Sequence, residues 1–268
     1  MKLNILPIVG IAGSLMLSGA PLLRGQGIDL DGYDIVDLTH PLNAEAVFWP
    51  TSPTRFVLER LAYGETEGGW FYSANAFSTP EHGGTHIDAP SHFDAKGQTV
   101  DEVPLDRLMG PAVVIDIREQ AALDPDYRLT ADDVAAFESE HGTIPPAAIV
   151  LLWTAWSDQW PDIKAYLGDD TPGDASNLHF PSFGPDAAAV LVKAREVAVL
   201  GVDAASIDYG ASSNFMVHRI AASSNVPGLE NLTNLDRLPP TGATVIALPT
   251  KIEGGSGGPV RVVALVPR

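Results

Sequence analysis

Residues 148–153, Ala148-Ile-Val-Leu-Leu-Trp153, are an unbroken apolar run. Such a run reads as a strand covered on both faces. Two similar runs flank it, Ala112-Val-Val-Ile-Asp-Ile117 and Val197-Ala-Val-Leu-Gly-Val202. Helical patterns lie between the runs. Thr130-Ala-Asp-Asp133 resembles a capping box and predicts a helix to His141, closed by Gly142. Pro185 stands near the first turn of a second helix, over 186–196. Strands alternating with helices predict an α/β fold. Further strands are expected at 33–38, 55–62 and 70–79, and again at 243–248 and 260–266. Strands added at both ends make the sheet mixed, with helices flanking it. A loop is expected at 64–69, and a long Pro/Gly-rich loop at 155–184, a length that often carries function.

The chain has 268 residues, 45% of them hydrophobic, enough for one large domain. No internal repeat or domain boundary is visible after residue 27, so 27–268 reads as a single domain. The first 26 residues read as a signal peptide or an uncleaved membrane anchor: Lys2, then an apolar stretch over 3–17, then Ser18-Gly-Ala20. Either reading places the protein outside the cytoplasm, in the periplasm or beyond. The net charge of −18 and the lack of a Lys/Arg cluster argue against nucleic-acid binding. There is no cysteine, which excludes disulfides, thiolate metal sites and cysteine nucleophiles. Any metal must be held by His, Asp, Glu, backbone oxygen or water.

Chemistry concentrates in Glu81-His-Gly-Gly-Thr-His-Ile-Asp-Ala-Pro-Ser-His-Phe-Asp94. It holds three of the seven histidines and three carboxylates. Gly83-Gly84 and Pro90 argue against a continuous helix, so His82 and His86 are not a helical pair. In an extended segment His86 and Asp88 share a face. The glycines allow a tight fold that returns His82 to that face. Imidazole and carboxylate together suit Zn²⁺, Mn²⁺ or Fe²⁺. His92, beyond the proline, is a further ligand or a general base. Scattered structural histidines would explain one such residue, but not three within eleven positions beside an aspartate.

His82-Gly-Gly-Thr-His-Ile-Asp-Ala-Pro-Ser-His92 resembles the signature of the cyclase family of metal-dependent hydrolases, which includes kynurenine formamidases and isatin hydrolases. The resemblance spans most of 33–268. It also rests on Asp37-Leu-Thr-His-Pro-Leu42, Gly201-Val-Asp-Ala-Ala-Ser-Ile-Asp208 and Leu229-Glu-Asn-Leu-Thr-Asn-Leu-Asp-Arg-Leu-Pro239. It implies a swivelling β/α/β-like fold, and a homodimer with pocket residues near the subunit interface. His82, His86 and Asp88 match metal ligands, His218 and Glu230 match the ligands that complete a two-metal site, and His92 matches the general acid/base. Trp49 matches an aromatic substrate contact. The helix at 130–142 and the tail from Leu238 are most like the isatin hydrolase branch, which uses one metal, whereas Glu230 stands in a formamidase-like context. One or two ions, Mn²⁺ or Zn²⁺, are therefore expected per chain.

Phe71, with Trp49 and Trp70, is a candidate wall for an aromatic-ring pocket, although aromatic residues before a strand are commonly core. Asp203 and Asp208 either orient histidines or cap the strand at 197–202. His40, His141 and His179 read as structural. Gly254-Gly-Ser-Gly-Gly258 fits the Gly-x-Ser-x-Gly pattern of a serine nucleophile, but Pro259 and a strand follow it and no histidine comes after His218. It reads as a turn between strands. The expected reaction is hydrolysis of an amide or cyclic amide on an aromatic scaffold, with a metal lowering the pKa of water toward about 7 and His92 moving the proton. A lactone or cyclic ester hydrolase would use the same site. An exported metal- or solute-binding protein would keep the ligands but have no use for His92.

Overall fold

The three apolar runs lie side by side as parallel strands, and the rest of the sheet grows around them. A computed structural model describes residues 30–268; the leader expected at 1–26 lies outside these residues. In chain order the strands are β1 (Tyr33–Asp37), β2 (Val57–Glu65), β3 (Phe71–Ser78), β4 (His86–Asp88), β5 (Met109–Asp116), β6 (Arg128–Leu129), β7 (Ile149–Trp153), β8 (Ser182–Phe183), β9 (Val199–Val202), β10 (Gly228–Glu230), β11 (Thr241–Pro249) and β12 (Gly257–Pro267). The helices are α1 (Arg118–Leu123), α2 (Ala131–His141), α3 (Ile163–Leu167), α4 (Pro185–Ala189) and α5 (Met216–Ala222). Among the described residues no helix is long and apolar enough to cross a membrane.

Strand β7 pairs in parallel with β5 on one side and β9 on the other. The sheet order is β1-β12-β11-β5-β7-β9-β10-β4, and β4 pairs back onto β12. Seven strands thus close into a ring, with β1 added at the C-terminal part of β12. The closure is mixed, because β11, β12 and β4 join antiparallel. Alternation of side chains splits the core in two. Ile87, Val114, Leu151, Val199, Leu229, Val245 and Val262, one from each of the seven strands, belong to a single buried cluster inside the ring. Val113, Val150 and Leu200 point the other way, toward α2, α4 and α5.

The helix at 130–142 is present with its full capping box: Thr130 Oγ1 accepts from Asp133 N at 3.1 Å, and Asp133 Oδ2 accepts from Thr130 N at 2.8 Å. Other elements differ from the pattern in the sequence. The helix expected over 186–196 stops at Ala189, and a wider turn with i to i+5 spacing follows over 190–194. Within 155–184 lie a 3-10 turn, α3 and β8. Helix α3 forms because Asp162 Oδ1 accepts from Ala165 N at 3.0 Å and Gly168, at φ 83°, ends it. The loop expected at 64–69 is shorter, since β2 runs to Glu65. Gly257 and Gly258, expected within a turn, belong to β12 and pair with β4.

Among the described residues, the hairpin β2–β3 joins neither the ring nor any other sheet. Val57, Leu58, Leu61, Tyr63, Phe71, Tyr72 and Phe77 on it are all more than half exposed.

Asp203, just past β9, is completely buried and ties β9 to the end of β7. Its Oδ1 accepts from Thr154 N at 2.9 Å and from Thr154 Oγ1 at 2.6 Å, while Oδ2 has no partner. Burial pushes its carboxyl up to about 7. A carboxyl raised in the folded state stabilises when protonated. That contribution is complete below the unfolded value of 3.8 and is lost as pH climbs through 7. Asp203→Asn keeps an oxygen for Thr154 without the charge. The variant is expected to gain stability on wild type as pH rises from 5 to 8, by up to roughly 2.7 kcal/mol, the worth of the two pH units between 5 and the folded value of about 7. Thermal unfolding of both proteins across that range measures it; a difference independent of pH contradicts it.

Candidate metal centre

Strand β4 decides where the site lies. Ile87 points into the ring, so His86 and Asp88 on either side of it point to the opposite face. The adjacent strand β10 does the same, with Leu229 inward and Glu230 outward, and its register sets Glu230 directly opposite His86. Helix α5 brings His218 onto this face. The two glycines before β4 fold His82 back. Gly83 (φ 150°) and Gly84 (φ 62°) have dihedrals that side chains rarely allow, and a Cβ on Gly83 would strike the Phe48 ring.

Asp88 is the meeting point. Its Oδ1 lies 2.6 Å from His82 Nδ1 and 3.1 Å from His86 Nε2; its Oδ2 lies 3.0 Å from His218 Nε2. Glu230 stands 3.2 Å from His218 Nε2 and 3.5 Å from His86 Nε2, and its Oε1 accepts from Ile207 N at 2.9 Å. His86, Asp88, His218 and Glu230 are all buried. Burial would raise the Asp88 carboxyl, but His82, His218 and His86 outweigh it and hold the group well below the carboxylate range. Burial would lower His86 and His218. Asp88 and Glu230 outweigh it for His86, which stands at about 9, and Asp208, Asp88 and Glu230 outweigh it for His218, held well above its usual value.

The second nitrogen of each histidine is already engaged. His86 Nδ1 bonds Gly84 O at 2.9 Å, and His218 Nδ1 bonds Asp208 Oδ2 at 2.7 Å. His82 Nε2 lies 2.9 Å from Ser256 Oγ. Asp208 also accepts from the backbone N–H groups of Val217 and His218, both at 3.0 Å, and so fixes the start of α5 together with its histidine. Asp203 orients no histidine; its role lies with Thr154. Two groups can each hold a divalent ion, His82-His86-Asp88 and Asp88-His218-Glu230, and Asp88 is common to both. Three oriented imidazole nitrogens and two buried carboxylates fit such an ion, since carboxylates out of water need a cation or strong donors.

The cluster shares the lining of a cavity of about 250 Å³ with Phe48, Trp49, Phe93 and Phe215. His92 sits in its lining, with its ring 3.9 Å from that of His82 and nearly parallel to it. One edge of the residue reaches solvent, yet packing among His82, Phe93 and His218 desolvates the ring and pushes it down to about 4. His92 is therefore neutral at pH 7. Phe71 lies on the exposed face of β3 and does not line the cavity. His40, His141 and His179 lie off it too, His40 stacked on Trp160 and His179 bonded to Asp126. Nothing in the sequence marks Asn231, whose Nδ2 donates to Gly84 O and whose Oδ1 accepts from Tyr166 OH, steadying the ligand segment from below. Phe48, Phe93 and Phe215 carry no pattern that marks a cavity wall.

The family model described as "Putative cyclase" matches residues 36–209, more than half of the chain. An isatin hydrolase of Roseibium aggregatum is 34% identical over 258 residues, covering 93% of this chain and 96% of its own. A kynurenine formamidase of Salinibacter ruber is 29% identical, covering 85% and 96%. An isatin hydrolase crystallised with the product analogue thioisatinate superposes with a TM-score of 0.81 at 32% identity, over 89% of this chain and 94% of its own. Sequence, fold and ligand cluster agree, and the chain belongs to the cyclase family of hydrolases.

Proposed function

We propose that the protein hydrolyses the carbon–nitrogen bond of an amide or cyclic amide carried on an aromatic ring, an isatin-like or arylformamide substrate. The observation that carries this reading is the position of a neutral histidine, His92, stacked on the ligand His82 in a cavity that aromatic side chains also line. His82, His86, Asp88, His218 and Glu230 would hold one or two ions, Mn²⁺ or Zn²⁺. When bound, such an ion supplies Lewis-acid activation of water and of the carbonyl. The two oxygens of Asp88 face different ligand groups, which supports sharing between two ions. Trp49, Phe93 and Phe215 favour a flat apolar ring and shed water from it. His92 takes a proton from the attacking water and returns it to the leaving nitrogen.

Isatin, formylkynurenine and an aryl lactone, each offered to the purified protein with Mn²⁺ or Zn²⁺, test the reading. Turnover of one of the two amides, abolished by chelator and restored by metal, is expected. Turnover of the lactone alone, or of nothing, overturns it.

The hairpin supports a homodimer. A two-stranded ribbon exposed on both faces is marginal in water, and its apolar side chains exceed what a lone surface element carries. A second copy of the chain would cover them. Light scattering is expected to give a dimer mass for wild type and a monomer mass for the double variant Leu61→Glu, Phe77→Glu. A monomeric wild-type protein contradicts the assignment.

A further inference from the structure

The glycine run Gly254-Gly-Ser-Gly-Gly258, which lacks the setting of a serine nucleophile, is built against His82. A Cβ on Gly257 would stand 2.6 Å from His82 Cε1 and 2.5 Å from Ile87 O. A Cβ on Gly255 would stand 2.9 Å from Glu81 Oε1. The two glycines therefore leave room for the imidazole and for the carboxylate of the residue before it. Between them, Ser256 bonds both. Its N–H and its hydroxyl donate to Glu81 Oε2, at 3.1 and 2.6 Å. With its proton committed to the carboxylate, Ser256 Oγ can only accept from His82 Nε2, 2.9 Å away. With Nε2–H held by Ser256, Nδ1, which lies 2.6 Å from Asp88 Oδ1, is the nitrogen that would ligate an ion held with that carboxylate. The loop is tied to the ligand segment a second time, since Ala89 N donates to Ser256 O at 2.8 Å.

We infer that Ser256 and Glu81 are positioning residues for the metal site: a carboxylate–hydroxyl relay from the β11–β12 loop that fixes the ring orientation and tautomer of His82. His86 and His218 are oriented by Gly84 O and by Asp208; His82, the least buried of the three, is oriented by this relay. Ser256 thus lacks the serine-to-histidine donation of a triad nucleophile, because its proton goes to Glu81.

The inference rests on the metal-hydrolase reading, and the test separates the two. Zn²⁺ is titrated into the metal-free protein against a chromophoric chelator, without substrate. Partners that orient a ligating histidine are typically worth about 10–100-fold in metal affinity. Ser256→Ala is expected to weaken Zn²⁺ binding within that range, Ser256→Thr to restore most of it, and Glu81→Gln to fall between. Circular dichroism checks the fold of each variant, and ¹⁵N spectra of the histidines are expected to show His82 losing its Nε2–H form in Ser256→Ala. Unchanged affinity in a folded Ser256→Ala overturns the relay. If the alanine variant does not fold, unchanged affinity in Glu81→Gln overturns it instead. A wild-type protein that binds no Zn²⁺ overturns the metal reading itself.

Discussion

Substituting Asp88 with asparagine is expected to strip the metal from the protein and to abolish measurable hydrolysis. Among the described residues no other side chain touches all three ligating histidines, which Asp88 does at 2.6, 3.1 and 3.0 Å. Asparagine keeps the shape but offers one neutral oxygen and an amide N–H₂ that cannot ligate. Both candidate ion positions lose a charged ligand together, because Asp88 belongs to each. A metal supplies several kcal/mol of transition-state stabilisation, which corresponds to at least about a thousandfold in rate. The check is elemental analysis of the purified variant beside kcat/KM on the substrate that wild type turns over. Glu230→Gln is the comparison: it removes a ligand from one group only, so His82, His86 and Asp88 still bind, and its loss of bound metal is expected to be partial. An Asp88→Asn protein with full metal content and wild-type rate removes Asp88 from the centre of the site.

The difference between these two carboxylates is only partly legible in the sequence. The spacing of His82, His86, Asp88 and His92 carries its own geometry, because an extended chain alternates its faces and a Gly-Gly pair permits one reversal. That information is local. Glu230 and His218 reach the same point through pairings between distant segments. Strands β4 and β10 are three residues each, too short for any periodicity to announce them, and they exist because the ring closes through them. The apolar strands β5, β7 and β9 are readable for the opposite reason. They are buried on both faces, so their composition alone reveals them. The return of β4 onto β12, which turns an open sheet into a ring, leaves no local trace. For the same reason the glycine run at 254–258 looks like a turn in sequence: Glu81 and His82, which Ser256 bonds, lie 175 and 174 residues away in the chain. Phe71 illustrates the converse. Its aromatic neighbourhood points to a pocket, yet the strand carrying it stands off the ring, and its side chain faces solvent.

His92→Ala is expected to separate chemistry from metal binding. His82, His86 and His218 keep their hydrogen bonds to Ser256, Gly84 O and Asp208 without His92. Metal content should therefore match wild type, in contrast to Asp88→Asn. The rate should not: loss of a positioned acid/base group costs about 10²–10⁴-fold, and it should fall on kcat more than on KM because the aromatic wall is intact. The pH profile supplies the second signature. Desolvation holds His92 down at about 4, so the ring becomes a base as pH rises through that value and stays one through neutrality. Wild-type activity should then show no acid limb near the ordinary histidine value of 6.5, and any limb it has should lie lower. In the alanine variant the residual rate should depend on hydroxide concentration and climb with pH. If His92→Ala loses its metal along with its activity, His92 is a ligand and the proton must be moved by another group. If it keeps both metal and rate, the proton is moved without His92, and the acid/base role assigned to His92 falls.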